Sequence, residues 1–255
     1  MKTAMYCYGP DGERKDLPST PPLEAWLDPE TSAVCCIDMH RSHCGPDEEK
    51  PLDAPRATER IAAHNAFQAG ARELGVPVIM AQHWQRHGGV DDLNSKAVEG
   101  GANWRILAEL HMDTTPLMDE LGWEGTPWVD LMVETDPERD YYIRTKKRLS
   151  AFYPTDLEFL LRQLGKKNLV LTGTLTDCCV LNTAFDAANR DFRVIVPRDV
   201  AAGISPEMER NAEAIIATHL GLVVDSAALL REWYARAGRE PSPEVAEAVF
   251  AGDLA

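Results

Sequence analysis

Residues 169–187, LVLTGTLTDCCVLNTAFDA, run from an apolar stretch through small and polar residues into a helical pattern whose opening turn holds Cys178 and Cys179. The apolar part is short and rich in branched side chains, which reads as a buried strand. A strand feeding straight into a helix is half of a β–α unit. The fold then depends on whether that unit repeats.

It does. Outward from this segment, short apolar runs alternate with amphipathic ones. AVCCID (33–38), VPVIMAQ (76–82), YYIRT (141–145), NLVLTG (168–173), FRVIVP (192–197) and LVVD (222–225) read as strands. Between and after them, 56–74, 156–165, 178–190, 206–220 and 226–238 carry helical periodicity. Strands apolar on both faces require helices on both sides of the sheet. The expected architecture is an α/β, three-layer α/β/α sandwich around a doubly wound, mainly parallel six-stranded sheet, with its ligand site beyond the C-terminal strand ends.

A single domain is expected over residues 31–238. The first 30 residues, with GPDGERKDLPSTPP at 9–22, read as an arm that wraps the domain or a neighbouring subunit. Between 84 and 137 the rhythm breaks: HGG, EGGAN and tryptophans at 104, 123 and 128 suggest a lid or a subunit contact, or a satellite core filled by large aromatics. Residues 239–255 read as a tail with one short helical pattern.

Charge excludes some partners. With 41 acidic against 26 basic residues the formal net charge is −15, which repels phosphate backbones and anionic lipid headgroups. Neither nucleic acid nor membrane is an expected partner, and the charged, proline-bearing N-terminus lacks the apolar stretch of a secretory peptide, so a cytoplasmic location is expected. The cysteines at 7, 35, 36, 44, 178 and 179 include two adjacent pairs, a spacing unsuited to a disulfide framework or a CxxC zinc knuckle.

Three reactive side chains stand at the ends of three different strands. A thiol in the helix turn that follows the 168–173 strand meets unpaired N–H groups and the positive end of the helix dipole, which favour thiolate. Asp38 ends an otherwise apolar strand, although turn aspartates are common there. Lys146 follows YYIRT, within the basic run RTKKR, where a solvated charge is the ordinary reading. A nucleophile, a carboxylate and an ammonium at one sheet edge fit acyl transfer.

These residues resemble the isochorismatase-like cysteine hydrolases, a family that includes nicotinamidases, N-carbamoylsarcosine amidase, ureidoacrylate amidase and biuret hydrolase. VCCIDMH resembles its first strand, KKRLSAF with the later T-x-L its lysine block, and TGTLTDCCVLNTAFDA its nucleophile block. The likeness covers roughly residues 32–233. It implies that Asp38 is the acid–base, Lys146 the lysine and Cys179, at the T-x-x-C-V spacing from Thr176, the nucleophile. It also implies a cis peptide at Thr174–Leu175, with the N–H groups of Leu175 and Cys179 as the oxyanion hole.

The implied reaction cleaves a C–N bond of a small amide, ureido or carbamoyl compound through a thioester, without a cofactor, in a homo-oligomer. The alternatives are a metal-assisted nicotinamidase, a vinyl-ether hydrolase of the isochorismatase type, and a non-catalytic binding member. The chain departs from the family after Asp38, where it reads Met39-His40-Arg41-Ser42-His43-Cys44, and at His83-Trp84-Gln85, where nicotinamidases carry D-x-H. His40, Arg41, His43, His83, Gln85 and Phe152 are candidate substrate contacts, and His219 in ATHLG is another, because it aligns loosely with a polar substrate-contacting residue near the last strand of biuret hydrolase. Arg41 could grip a carboxylate or form a surface salt bridge. His87 joins the three earlier histidines after two neighbouring strands, but no regular ligand spacing accompanies them and no metal site is assigned.

Overall fold

The computed structural model describes residues 5–91, 104–111 and 115–250. In chain order the strands are β1 (Tyr6–Tyr8), β2 (Arg14–Asp16), β3 (Ser32–Ile37), β4 (Val78–His83), β5 (Tyr141–Lys146), β6 (Asn168–Thr174), β7 (Arg193–Pro197), β8 (Ala201–Ala202) and β9 (Gly221–Val224). They form one sheet in the order β2-β1-β9-β7-β6-β3-β4-β5, with β8 beside β6.

Six strands, β3 to β7 and β9, make the parallel block that the apolar runs predict. The chain enters at β3, builds outward through β4 and β5, then returns to β6 on the other side of β3 and builds outward again. Winding thus reverses between β3 and β6, which leaves a crevice above their C-terminal ends.

Among the described residues the count of six is corrected to nine. The extra strands are the antiparallel β1–β2 hairpin, which hangs on β9 through Tyr8 and Val223, and the two-residue β8. Arg14-Lys15-Asp16 is exposed and polar and β8 is two alanines, so neither carries a hydrophobic period. The N-terminal segment thus joins its own domain's sheet, and Leu27 enters the core.

Alternation along each strand divides the core into two layers. Val34, Cys36, Met80, Val170 and Ile195 meet Phe67, Leu230 and Trp233 on one face. Ala33, Cys35, Ile37, Ile79, Leu171 and Val194 meet Leu157, Leu161, Ala184 and Ile216 on the other. The 56–74 pattern divides into helices Pro55–Glu59 and Ile61–Glu73. The 226–238 pattern is one helix, Ser226–Ala237, closed by Gly238 at φ 61°.

In the 84–137 stretch, EGGAN at 99–103 lies outside the described residues, and Trp104 opens a helix to His111. Residues 92–98 and 112–114 also lie outside the described residues, and parts of 84–91 and 115–137 run over the C-terminal ends of β3 and β4. Met132 N–H donates to the Met39 carbonyl (2.9 Å) and Gln85 N–H to that of Gly122 (2.7 Å). Met118, Leu121 and Val133 join the first core layer. The Trp128 indole donates to Glu120, and the Trp123 ring lies 5.0 Å from that of His87. No helix among the described residues is long and apolar enough to cross a membrane.

Gly173 sets the closest approach of β3 and β6. Its φ is 103°, and a Cβ there would stand 2.0 Å from the Ile37 carbonyl oxygen, one residue before Asp38. Gly173→Ala is therefore expected to lose at least about 3 kcal/mol in urea unfolding. Gly165→Ala, with φ 67° and open space around the new methyl, should lose only about 1 kcal/mol. Equal losses would contradict this reading.

Candidate active site

Each reactive side chain is placed by the end of a strand. Asp38 follows β3 with φ 51°, a left-handed conformation that aspartate tolerates better than most residues, and its N–H donates to the Ala81 carbonyl (2.9 Å). Lys146 is the last residue of β5, brought level with His83 by a register shift after Ala81. Cys179 lies in the turn Thr176–Val180, which winds with a wide π pitch before helix Leu181–Ala188.

The three converge. Lys146 Nζ donates to Asp38 Oδ2 at 2.6 Å and to Cys179 Sγ at 3.4 Å. The other carboxylate oxygen, Oδ1, accepts the His83 backbone N–H at 2.7 Å. Asp38 and Lys146 are 1% and 0% exposed, whereas Cys179 retains partial exposure. The ammonium thus bridges a buried carboxylate and a sulfur that faces the crevice. The Thr174–Leu175 peptide is cis.

Burial alone would raise the Asp38 pKa, but the Lys146 charge, followed by the nearby histidines, outweighs it and holds the carboxyl far below its usual range. Burial would likewise lower Lys146, and the Asp38 carboxylate holds it above its ordinary value instead. The pair is ionised at neutral pH.

Cys179 departs from the expected low thiol pKa. A hydrogen bond donated by its own S–H to Cys178, and then burial, push it well above its ordinary value, against the pull of Lys146. The geometry of the turn explains the lost advantage: the N–H groups of Cys178 and Val180 both bond to the Leu175 carbonyl, at 3.0 and 3.1 Å. They are spent inside the turn and do not face the sulfur. The resting state is a thiol beside a carboxylate.

The other candidates divide. His40, His43 and His83 are buried near the pair, with the His40 and His43 rings 5.8 Å apart and His43 Nδ1 2.9 Å from Ser42 Oγ. Among the described residues His83 Nε2 and Thr176 Oγ1 are buried without a hydrogen-bond partner. Gln85 is buried too, its backbone held against Gly122 and Glu124.

Three residues have other engagements. Arg41 forms a bidentate salt bridge with Asp47 at 2.8 and 2.9 Å. Phe152 packs in the core beside Phe192. His219 precedes the start of β9, at the opposite end of the sheet from Asp38 and Lys146. Its loose alignment to a family contact misplaces it, because the parallel strands put their starts and ends on opposite edges.

Thr183 was not singled out. Its hydroxyl donates to the Cys179 carbonyl (2.7 Å) and accepts the Ala151 N–H (3.0 Å), which ties the lysine block to the nucleophile turn. A threonine inside a helix bonding back one turn was the available signal. Among the described residues no three His, Cys, Asp or Glu side chains are grouped to hold a metal ion.

The histidines make stability depend on pH. Burial, as the largest cause, pushes His40 and His64 from 6.5 down to about 3 and His43 to about 4. A histidine with a depressed folded pKa binds its proton more readily in the unfolded chain, so its contribution is fully present above pH 6.5 and is lost as pH falls toward the folded value. At pH 5 each histidine should cost about 2 kcal/mol. Thermal melts should show Tm falling between about pH 7 and pH 5. A Tm unchanged across that interval would contradict the burial of neutral imidazoles.

Residues 32–228 match the family model described as the isochorismatase domain. Similar curated proteins include a ureidoacrylate amidohydrolase of Methylobacterium radiotolerans, 29% identical over 83% of each chain. Another, from Methylorubrum extorquens, is 33% identical over 67% of each. Among solved structures, a cysteine hydrolase from Pseudomonas syringae pv. phaseolicola superposes with a TM-score of 0.68 at 23% identity, covering 82% of this chain and 94% of that one. With a reversal of winding between β3 and β6 and a matched domain spanning every strand of the parallel block, the chain belongs to the isochorismatase family.

Proposed function

We propose that this chain is a cysteine amidohydrolase that cleaves a C–N bond of a small amide, ureido or carbamoyl compound through an acyl-thioester on Cys179. The observation that carries the reading is one ammonium 2.6 Å from a buried carboxylate and 3.4 Å from the sulfur of the half-buried Cys179. The amidohydrolase activity named for the ureidoacrylate relatives supports the reaction class.

The resting protonation states dictate the order of steps. Because the thiol is protonated and Asp38 is not, the Cys179 proton passes to Asp38 as sulfur attacks the carbonyl carbon. Lys146 stabilises the sulfur while it carries charge. The N–H groups of Leu175 and Cys179 hold the tetrahedral oxyanion. Collapse breaks the C–N bond, and Asp38 returns its proton to the departing nitrogen.

Water then attacks the thioester while Asp38 removes its proton. The second collapse releases the carboxylic or carbamic acid, and the sulfur regains a proton from Asp38. Every proton is conserved over the cycle and no cofactor enters it. The buried, unpartnered His83 Nε2 and Thr176 Oγ1 support a substrate with polar groups flanking the scissile carbonyl.

Ammonia release measured over ureido compounds, N-carbamoyl amino acids, primary amides and hydrazides tests the class. Cys179→Ala should lower kcat by about 10⁴-fold or more on any substrate found. Cys178→Ala should retain activity within about tenfold, since it removes only a hydrogen bond to the nucleophile. Turnover retained by Cys179→Ala but lost in Cys178→Ala would move the nucleophile one residue and overturn the assignment.

A further inference from the structure

We infer that the cleft between the N-terminal hairpin and the two C-terminal helices is a second binding site, one that takes a small aromatic anion: a planar ring bearing a phosphate or carboxylate. The cleft has a volume of about 750 Å³, within the range of small-ligand sites. Tyr6, Arg14, Arg231, Tyr234, Arg239 and Phe250 line it. Every one of these residues lies outside the matched family domain, 32–228, so the cleft is an addition to the hydrolase fold and shares no residue with the Cys179 site.

Its charge runs against that of the chain. In a protein of net charge −15, Arg14 and Arg239 meet, among the described residues, one lining carboxylate, Glu240. Guanidinium groups donate paired N–H bonds to the oxygens of carboxylate and phosphate.

Its rings are fixed beforehand. Arg14 lies 3.4 Å from the centre of the Tyr6 ring, and Arg231 4.7 Å from that of Phe250. The Tyr6 hydroxyl is anchored on Asp225 (2.5 Å) and the Tyr234 hydroxyl on Glu73 (2.6 Å), so both carboxylates are occupied by phenols. Arg239 is held by the Glu73 carbonyl at 2.5 Å. A guanidinium stacked on a ring offers its other face to a third planar group, and side chains already held lose little entropy on binding.

Calorimetry with adenosine monophosphate, phenyl phosphate, benzoate and inorganic phosphate tests the inference on the full chain and on Cys179→Ala. Expected is one site per chain for at least one aromatic probe, with a dissociation constant below about 1 mM, and at least about tenfold weaker binding of inorganic phosphate. The adenosine and phenyl arms distinguish a nucleotide from a simpler aryl phosphate, and benzoate reports the carboxylate form. Arg14→Ala with Arg239→Ala should weaken the aromatic probe at least about tenfold while leaving any amide turnover unchanged. Absence of saturable binding, or binding unaltered in the double variant, would overturn the inference.

Discussion

A fully buried ion pair, Lys146 with Asp38, is the contact around which this molecule is arranged. Removing two charges from water costs several kcal/mol per ion, and attraction offsets that cost only with good geometry and satisfied remaining positions. Here both carboxylate oxygens are used, by Nζ at 2.6 Å and by the His83 N–H at 2.7 Å, and the ammonium has the Cys179 sulfur as a further partner. Replacing either ion alone would leave the other charged and unpaired in the core.

That requirement reaches back into the sheet. Asp38 and Cys179 follow β3 and β6, the strands between which winding reverses, and Lys146 must cross from the outer strand β5. An extra residue in β5, opposite the step from Ala81 to His83 in β4, brings it level with His83, Gly173 lets β6 approach the end of β3, and Asp38 turns through a left-handed φ. The family resemblance placed the three residues in sequence, and these local irregularities are what bring them within bonding distance in space.

The parallel block was legible because its strands are apolar on both faces and its helices carry a clear period. Asp38, Lys146 and Cys179 were legible as strand-end residues within the family's spacing. The N-terminal hairpin was not, since Arg14-Lys15-Asp16 has no hydrophobic pattern and pairs only because an edge strand is available. Nor was the raised pKa of Cys179, which depends on its hydrogen bond with the Cys178 thiol and on its burial. Arg41 forms the salt bridge that was one of its two readings, and His219 shows the limit of alignment, because it belongs to the opposite edge of the sheet.

The account assigns the bond-forming atom to Cys179 Sγ beside an ionised pair, and a rapid acid quench during turnover, followed by peptide mass analysis, reads that atom directly. The account predicts a substoichiometric acyl adduct on the peptide containing residues 178 and 179, localised to Cys179 by fragmentation and absent from Cys179→Ala. An adduct on Cys178, or steady turnover by the Cys179→Ala variant, would contradict it.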